Sequence, residues 1–396
     1  MSKGRYDAIV IGGGVVGSSI AFHLKRLGCG NVLLLERGQA CTGGTAKSCA
    51  IIRTHYSIPT NTELAVGSLE VFRNFADYLG DPGAESGFTH SRYLILAPGG
   101  HSGDLLRQNL AMQAQHGAET YEISHEEARI MHPRLNLDDI AVIGYEPQSG
   151  YADPYMTTMG FLNAARRIGA EVKLDCPVMG LIEDGDRILG VHTAEGDFRA
   201  GTVVAAIGPW TRPLAAWAGI ELPLETSRHT VLTFKSAAPY DARLPIVKDL
   251  TTANKMYFRP ASGGVVLVGT GDHGDPIADP DVMDENVSDD FVLLQGGQLA
   301  HRMPDFATGE LVDSWVGPHD IPPDWNPVLG PIDGLEGLHV AYGFSGHGFK
   351  LSPMVGKCMA QMVMGQTTDV DMHPYRLSRF VEGDLLVGTY GIGSIS

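Results

Sequence analysis

Two glycine-rich segments near opposite ends of the 396-residue chain carry the residue types best suited to chemistry. Residues 7–17 read Asp-Ala-Ile-Val-Ile-Gly-Gly-Gly-Val-Val-Gly, in which Gly12, Gly14 and Gly17 fit the pattern G-x-G-x-x-G. Such a turn lets backbone N–H groups approach a pyrophosphate. Residues 343–350 read Gly-Phe-Ser-Gly-His-Gly-Phe-Lys, a loop of small residues that can lie flat against a ring and that ends in a cation. Together the two segments favour a flavin held from both ends of the chain, with a substrate carboxylate beside it.

The strands and the helix predicted around the first segment support its interpretation as a nucleotide-binding turn. Residues 6–11 form an apolar run typical of a buried parallel strand, residues 18–27 have helical periodicity, and residues 31–35 form a second strand. Glu36 follows nineteen residues after Gly17, where an acidic residue accepts hydrogen bonds from a ribose diol and disfavours a 2′-phosphate. Glycine makes up 50 of the 396 residues, so the glycines alone would also fit a turn without a nucleotide. Their order with strand, helix, strand and acid favours a dinucleotide site.

The composition argues against several classes of protein. The chain is 43% hydrophobic and 19% charged, which is typical of a globular protein, and its length predicts two lobes. Its net charge of −17, with no basic run, argues against nucleic-acid binding. No stretch approaches the roughly 18 apolar residues that span a bilayer. The first strand begins within about five residues of the N-terminus, so we expect no signal peptide and a cytoplasmic protein. The five cysteines form no C-x-x-C pair, which favours reduced thiols and no metal site.

The pattern along the chain predicts a nucleotide-binding lobe built from separated pieces. We expect residues 1–85, 145–225 and 325–390 to form this lobe, and residues 86–144 and 226–324 to form an inserted, mostly antiparallel substrate lobe. Helices are predicted over 63–79, 102–116, 154–168 and 353–365, and strands over 88–97, 171–174, 178–182, 188–192, 197–200, 202–210, 228–234 and 256–270. Residues 275–290 are acidic and are predicted to form a loop.

Six segments give the chain a resemblance to a known family. They are the glycine turn at 12–17, Ile-Ile-Arg at 51–53, residues 205–210, Tyr-Phe-Arg-Pro at 257–260, the proline-rich turn at 323–330, and the octapeptide at 343–350. Through them the chain resembles, almost end to end, the D-amino-acid-oxidase superfamily of flavoproteins. Within it the chain is most similar to the branch of sarcosine oxidase, sarcosine dehydrogenase and the proline dehydrogenase β-subunit. The resemblance implies an α/β fold: a Rossmann-like FAD-binding domain of glutathione-reductase type, with an inserted α+β substrate-binding domain that carries a mostly antiparallel sheet.

The resemblance also implies positions for the cofactor, with Glu36 and Val178 at the adenosine and residues 346–350 at the flavin ring. The positions expected to contact FAD are Gly12, Gly14, Val16, Gly17, Glu36, Arg37, Gly44, Thr45, Lys47, Ser48, Ala50, Ile51, Val178, Ala206, Gly208, Trp210, Gly343, Gly346, His347, Gly348, Phe349 and Lys350. Some relatives attach the flavin covalently through a histidine in the loop after the first acid, or through a cysteine before the proline-rich turn. Residues 42–50 contain no histidine and residues 314–316 contain no cysteine, so we expect non-covalent FAD.

In the sarcosine-oxidase branch, an arginine after the Ile-Ile pair and the lysine of the Gly-Phe-Lys turn clamp a substrate carboxylate. The resemblance assigns that role to Arg53 and Lys350. The residue types suit it, since a guanidinium is a planar fork matched to a carboxylate and an ammonium adds a point charge. The alternatives are a structural salt bridge for Arg53 and a solvated loop position for Lys350. The candidate polar groups around a substrate amine are His347, Tyr257, His55 and Tyr56.

These residues predict FAD-dependent oxidation of the C–N bond of a small secondary or N-methyl amino acid. Hydride would pass to flavin N5, and the resulting imine would hydrolyse. Monomeric sarcosine oxidases carry a lysine, linked to oxygen activation, on the strand that corresponds to residues 265–271. This chain has none there, so O2 and a quinone or electron-transfer protein both stay open as acceptors. Glycine oxidase and D-amino-acid oxidase place an arginine after a Trp-x-Gly motif, whereas Trp315 leads here to Pro-His-Asp at 318–320, which favours secondary amines.

Other functions stay open at this stage. Within enzymes, the alternatives are a D-amino-acid or proline dehydrogenase. From another class, the chain could be a flavin-binding subunit of a larger electron-transfer complex, and both homo-oligomers and hetero-oligomers are compatible with it. A flavin hydroxylase is disfavoured because the chain has no late Gly-Asp-Ala-Ala-His-type motif. An NAD dehydrogenase is disfavoured because residues 343–350 would have no role in one.

Overall fold

The computed structural model describes residues 2–271 and 275–392 and contains three β-sheets. The strands are, in chain order, β1 (Ser2–Ile11), β2 (Val32–Leu35), β3 (Ile51–Ile52), β4 (Thr89–His90), β5 (Tyr93–Ala97), β6 (Tyr121–Glu122), β7 (Val142–Glu146), β8 (Gly150–Tyr151), β9 (Glu171–Lys173), β10 (Val178–Asp184), β11 (Arg187–Thr193), β12 (Gly196–Ala205), β13 (Glu225–Lys235), β14 (Ile246–Asp249), β15 (Tyr257–Ala261), β16 (Val265–Gly269), β17 (Pro276–Ile277), β18 (Glu310–Ile321), β19 (Val328–Ile332) and β20 (Leu335–Tyr342).

Helices connect and cover these sheets. The α-helices are α1 (Val15–Arg26), α2 (Pro59–Arg73), α3 (Phe75–Leu79), α4 (His101–Gln115), α5 (His125–Met131), α6 (Pro154–Arg167), α7 (Arg212–Ala218), α8 (Asp289–Arg302), α9 (Gly348–Val363) and α10 (Arg379–Glu382). Short 3₁₀ helices lie at Gly44–Lys47, Gly208–Thr211, Pro304–Phe306 and His373–Tyr375. Among the described residues, none of these helices is both long enough and apolar enough to cross a membrane.

The first sheet contains the strands that flank the predicted nucleotide turn. Its order is β10–β11–β20–β12–β1–β2–β9, with β19 paired to β20. β1 runs parallel to both β2 and β12, so the ends of these three strands lie along one edge of the sheet. The turn at 12–14, Glu36 and Ala206 follow those strand ends directly. The topology therefore brings together residues that are almost 200 positions apart, at the edge where such sheets bind ligands.

Both faces of this sheet are buried, which explains its continuous apolar runs. Alternate residues of β1, β2 and β12 enter two separate cores: Val10, Leu34 and Val204 pack with α1, α6 and α9, whereas Ile9, Leu33 and Val203 pack on the opposite face. The sequence predicted two strands, at 197–200 and within 202–210, the second running into a turn. The structure has the single strand β12, and the turn that follows it is a 3₁₀ helix.

The second sheet has the order β17–β13–β16–β15–β14–β5–β7–β6, with β18 paired to β13. Among the described strands its pairs are antiparallel except for β5 with β14. Two rows of side chains alternate across it. The residues of one row are paired from strand to strand and enter a core covered by α5 and α8; they are Leu94, Val247, Phe258 and Val268. The neighbouring row lies on the opposite face and consists of Ile95, Lys248, Tyr257 and Gly269. The predicted mixed α/β fold with a mostly antiparallel second sheet is confirmed.

Helix α9 begins earlier than the sequence suggested, and this changes the setting of Lys350. The proline at 353 favoured a helix start at that position, but α9 begins at Gly348, so Lys350 lies in its first turn rather than in a loop. A proline inside a helix leaves the carbonyl four residues earlier without its N–H partner. The hydroxyl of Ser352 donates to that carbonyl, the oxygen of Phe349, at 2.8 Å. This substitute bond explains how the helix passes through Pro353.

The predicted division into an FAD-binding and a substrate-binding domain stays a prediction. The first sheet draws its strands from residues 2–35, 171–205 and 328–342, and the second from residues 93–97, 121–146, 225–277 and 310–321. Residue 1 of the predicted first piece and residues 272–274 of the predicted insert lie outside the described residues.

Candidate functional site

A cavity of about 540 Å³ runs between the two larger sheets. Most of the positions predicted to contact the cofactor line it: Gly12, Gly14, Val16, Glu36, Arg37, Gly44, Thr45, Lys47, Ser48, Ala50, Ile51, Val178, Ala206, Gly208, Trp210, Gly346, His347, Gly348, Phe349 and Lys350. Arg53 and Tyr257, predicted to act on the substrate, line the same cavity. The fold thus collects residues from both ends of the sequence around one space.

Two predicted cofactor positions, Gly17 and Gly343, do not line the cavity. A Cβ on Gly17 would lie 2.0 Å from the carbonyl oxygen of Gly12, so this glycine allows α1 to pack against the turn. A Cβ on Gly343 would lie 2.2 Å from Cγ of Pro322, and Gly343 has a φ of +79°. Both glycines shape the backbone that carries the site, and their contact with the cofactor stays a prediction.

The turn between β1 and α1 has the features of an anion site. Gly12 has a φ of +109°, and a Cβ there would lie 2.3 Å from the carbonyl oxygen of Ala206. Helix α1 has no side-chain cap at Gly14 and no acidic residue in its first turn, and its first residues line the cavity. The N–H of Val15 donates to the hydroxyl of Thr45 at 3.2 Å, and the partial positive charge of the helix N-terminus faces the cavity, which favours a phosphate.

Glu36 lies at the rim of this end with its carboxylate already oriented. One oxygen, Oε2, accepts a hydrogen bond from the N–H of Gly13 at 2.6 Å, and the other, Oε1, accepts one from the N–H of Gly38 at 2.9 Å. A carboxylate has about four lone-pair sites, so it can accept further bonds from a diol.

Arg37 and Trp210 meet at the mouth of the cavity through a residue that the sequence did not single out. The Arg37 guanidinium lies 4.5 Å from the Trp210 ring centroid and makes two hydrogen bonds to Asp281, at 2.7 and 3.0 Å. The indole N–H of Trp210 donates to the same carboxylate at 2.8 Å. Asp281 belongs to the segment predicted as an acidic loop, and composition alone did not indicate that it folds back over this mouth.

Arg53 lines another part of the cavity, and its buried side chain is fixed by neighbouring residues. Its guanidinium donates to the carbonyl of His55 and lies 4.6 Å from the Tyr56 ring centroid. Burial raises the pKa of Glu146, and the nearby positive charge of Arg53 partly offsets this by lowering it. His55 and Tyr56, predicted as candidates around the amine, do not line the cavity, so they position Arg53 instead. Burial lowers the pKa of His55 to about 3, so this histidine is neutral.

Lys350 reaches the same part of the cavity from the first turn of α9. It is only 8% exposed, which excludes the alternative of a solvated loop lysine. Burial, followed by the positive charge of Arg53, lowers the pKa of Lys350 well below its ordinary value. No hydrogen bond or ion pair to its ammonium is found among residues 2–271 and 275–392. Arg53 and Lys350 are thus brought together although they lie almost 300 residues apart.

His347 and Tyr257 complete the predicted set. His347 is the N-cap residue of α9, and its ring centroid lies 5.2 Å from that of Tyr56. The Tyr257 hydroxyl lies 3.0 Å from Sγ of Cys49 and 3.2 Å from Nε2 of His229. Burial raises the pKa of Tyr257 well above its ordinary value, so the phenol stays protonated and can donate a hydrogen bond.

Lys248 is the main residue that the sequence reasoning missed. It lies in β14, is 4% exposed and lines the cavity beside Tyr257. Burial, followed by the charge of Arg53, lowers its pKa well below the ordinary value. A signal was present, since a lysine within the short apolar run at 246–250 is unusual for a buried strand. The family resemblance places a lysine on the strand at residues 265–271, whereas the buried lysine of this chain lies on β14.

Comparisons with known proteins agree with this geometry. The sequence profile of the DAO family, described as FAD dependent oxidoreductase, matches residues 7–362. The chain belongs to this family. It is 30% identical to the bovine "FAD-dependent oxidoreductase domain-containing protein 1", over 96% of this chain and 86% of that protein. It is 26% identical to human mitochondrial sarcosine dehydrogenase, over 94% of this chain and 41% of that longer protein.

Solved structures of similar proteins have the same fold. L-proline dehydrogenase from P. horikoshii superposes with a TM-score of 0.88 at 27% identity, covering 96% of this chain and 99% of that one. Glycine oxidase from Geobacillus kaustophilus superposes with a TM-score of 0.79 at 26% identity, covering 95% and 99%. The chain is therefore an FAD-dependent amine or amino-acid oxidoreductase of the DAO family. The helix N-terminus at the glycine turn, the oriented Glu36 carboxylate and the cavity volume of about 540 Å³ fit FAD.

Proposed function

We propose that this enzyme oxidises the C–N bond of a small secondary or N-methyl amino acid, similar to sarcosine, to an imine that water hydrolyses. The observation that carries the proposal is the buried pair of Arg53 and Lys350 in the wall of the FAD cavity. Lys350 forms no ion pair with a carboxylate of the described residues, so a substrate carboxylate would remove the penalty of burying its charge. Bound FAD supplies the hydride acceptor, its N5 atom.

The proposed clamp orients the substrate through its carboxylate. At about 4 Å and an effective dielectric of about 20, each cation contributes roughly 4 kcal/mol of attraction before desolvation is subtracted. Arg53 is held by the carbonyl of His55 and by the face of Tyr56, so its fork is fixed before the substrate arrives. We propose that this preorganisation fixes the substrate carbon that loses hydride.

The substrate amine has to be neutral before it can release hydride. Arg53, Lys350 and Lys248 lie on the cavity wall, and nearby positive charge lowers the pKa of an ammonium group. The protonated Tyr257 hydroxyl and His347 are the polar groups that we propose for contact with the amine. Helix α9 has no acidic residue in its first turn, so its N-terminus favours the negative charge that develops on the acceptor.

The test is an anaerobic titration of the purified holoenzyme with sarcosine, other N-methyl amino acids, L-proline and a set of D-amino acids. We expect secondary amino acids to bleach the absorption band of oxidised flavin. The Lys350→Met variant should need far higher substrate concentrations. The matched control is Lys357→Met on the same helix, which removes a surface lysine paired with Asp369. Bleaching by primary D-amino acids alone would contradict the proposal, as would no bleaching by any of these amines.

L-proline oxidation is the second candidate. The fold agreement with the P. horikoshii L-proline dehydrogenase, at a TM-score of 0.88 and over 99% of that chain, favours it. L-proline is itself a secondary amino acid, so the same clamp would serve it. The relative rates of flavin reduction by L-proline and sarcosine separate the two candidates, and admitting air afterwards shows whether O2 or another acceptor is used.

Two further predictions from the sequence concern the attachment of FAD and the location of the protein. We propose that FAD is non-covalent, which acid precipitation tests, since free flavin should then appear in the supernatant. The cytoplasmic location stays a prediction, beside the mitochondrial names of the sarcosine and dimethylglycine dehydrogenase relatives.

A further inference from the structure

Lys248 lies in the same cavity wall, and beyond its electrostatic effect on the substrate amine it has no role in the reaction described so far. It is paired directly across from Tyr257 in the second sheet, and its Nζ lies 5.5 Å from the centroid of the Tyr257 ring. No hydrogen bond or ion pair to this ammonium is found within residues 2–271 and 275–392. The next residue, Asp249, is engaged elsewhere, because Arg302 donates to it at 2.8 Å.

Within residues 2–271 and 275–392, the two lysines on this wall form no ion pair with a carboxylate, whereas the arginine lies near one. Arg53 has Glu146 behind it. The positive charges of Arg53 and Lys248 act on Lys350, whereas those of Arg53 and Lys255 act on Lys248, opposed by the negative charge of Asp249. In the described part of the chain, three buried cations therefore converge on this region, and of the two nearby buried carboxylates, Glu146 and Asp249, the second is already held by Arg302.

The other carboxylates that line the cavity are already engaged. Glu36 accepts two backbone hydrogen bonds at the rim. Asp281 is bound by Arg37 at the mouth. Asp320 accepts a hydrogen bond from the N–H of Gly343 at 2.6 Å. Within the described residues, none of these three acids is among the groups that act on Lys248 or Lys350.

A single substrate carboxylate can neutralise only part of this excess of buried positive charge. Burying an ammonium without a counter-charge is unfavourable by several kcal/mol, as a general rule. We propose that the substrate carries two carboxylates, so that it is an N-methyl or secondary amino acid with an acidic side chain or an acidic N-substituent. Arg53 and Lys350 hold the first carboxylate, and Lys248 holds the second. This inference rests on the proposed function and narrows its substrate class.

The chemistry of the step is unchanged. The C–H bond next to nitrogen breaks, its electron pair leaves with the hydrogen to FAD, and the nitrogen lone pair forms the C=N bond. Both carboxylates remain intact, and water then adds to the imine. Lys248 therefore acts as a specificity-determining residue, through the charge that it presents.

The experiment compares substrates that differ only in charge. The holoenzyme is reduced anaerobically with N-methylaspartate and with N-methylasparagine, as both enantiomers, and with iminodiacetate and its monoamide. We expect the dicarboxylate of each pair to reach half-maximal reduction at a concentration about tenfold lower, equivalent to about 1.4 kcal/mol. Equal concentrations for acid and amide overturn the proposal.

Variants locate the preference at Lys248. In Lys248→Met the acid and the amide should reach half-maximal reduction at nearly equal concentrations, so that the ratio of these concentrations falls towards one. In Lys248→Arg, which keeps the charge, the preference for the acid should persist. Lys357→Met is the control of the same type and should keep the full ratio. An unchanged ratio in Lys248→Met overturns the proposal. So does slower reoxidation of the reduced enzyme by O2 with no change in the ratio, because the lysine would then serve the electron acceptor.

A binding measurement separates this proposal from the proposed function. Malonate and its monomethyl ester are not oxidised, and their binding is followed by the perturbation of the oxidised flavin spectrum. If no amine reduces the flavin, the proposed function fails, while tighter binding of malonate than of its ester still supports the dianion site. If sarcosine reduces the flavin and malonate binds no more tightly than the ester, the proposed function stands and the dianion site is overturned.

Discussion

Two regions of this protein bury cations in opposite ways. Arg302 and Arg379 are fully buried, and each is matched by a buried carboxylate: Arg302 by Asp249 at 2.8 Å, and Arg379 by Asp324 at 2.7 Å. Lys248 and Lys350 are almost as buried, but the described residues offer them no such carboxylate. The comparison teaches that a buried cation in a close ion pair is part of the structure, whereas a buried lysine on the cavity wall, with no such pair in the described residues, identifies the place of a ligand.

The largest expected effect is on the structural side of the comparison. Arg379→Met leaves Asp324 buried without its partner, and breaking such a pair lowers the free energy of unfolding by about 3–5 kcal/mol. Urea denaturation of the holoenzyme, followed by circular dichroism, measures the loss. The double variant with Asp324→Asn should recover part of it. A loss of less than about 1 kcal/mol would mean that this pair is no more structural than a surface ion pair.

Asp320 is the converse case, a buried carboxylate held by backbone N–H groups. Burial raises the pKa of Asp320 from 3.8 to about 6, so between these values the folded protein binds a proton that the unfolded chain releases. Its contribution to the free energy of unfolding therefore falls as pH rises from 4 to 6, by at most about 3 kcal/mol. Asp320→Asn should lack this contribution. The difference between the two unfolding curves, measured at several pH values, should shrink towards low pH.

Lys350→Met should separate function from stability. We expect kcat/KM for a secondary amino acid to fall about 100-fold, since a lost charge pair of about 2.7 kcal/mol corresponds to that factor. The free energy of unfolding without substrate should not fall, because the variant no longer buries a lone ammonium. Steady-state kinetics and urea denaturation on the same preparation check both. A variant that is destabilised as strongly as Arg379→Met would remove the distinction between the two regions.

The binding of carboxylates should depend on pH in a defined direction. The pKa values of Lys248 and Lys350 are lowered in the free protein, and a bound carboxylate raises them again. Binding therefore takes up protons, and affinity falls as pH rises through the lowered pKa values, by up to about tenfold per pH unit for each proton taken up. Titration with malonate in weakly buffered solution, with an indicator dye, measures the uptake. Lys248→Met should take up fewer protons than the parent protein.

The smallest effect concerns the position of one ammonium group. A Cβ on Gly271 would lie 3.0 Å from Nζ of Lys248, so Gly271→Ala should displace that side chain without removing its charge. We expect the preference for dicarboxylates to change by only about threefold, less than about 1 kcal/mol. The same substrate pairs measure it. A larger loss than in Lys248→Met would show that the backbone at Gly271, rather than the ammonium, determines the preference.

The sequence predicted one part of the cavity well because that part is continuous. The turn at 12–17 and Glu36 lie in one β–α–β unit, in which spacing alone determines where each residue falls. The region around Arg53, Lys248 and Lys350 is assembled from three distant stretches. Family resemblance supplied two of these residues. The lysine within the run at 246–250 was a local signal for the third, but it does not indicate which cavity β14 borders.

Other errors have local causes. Pro353 suggested a helix start, but Ser352 satisfies the carbonyl that this proline leaves free, so α9 begins five residues earlier. The helix α8 and the strand β18 were not predicted. The exposed Leu293 and Leu294 blur the apolar periodicity of α8, and the first residues of β18 are exposed at the edge of the sheet.

The two rows of side chains on the second sheet have a consequence for the diversification of this enzyme. Because neighbouring residues of β14 and β15 point to opposite faces, Lys248 and Tyr257 can be exchanged while Val247 and Phe258 keep the core packed. Substitutions at positions 248 and 257 therefore change the wall of the cavity without changing the core on the opposite face. A combinatorial library restricted to positions 248 and 257 would explore this freedom.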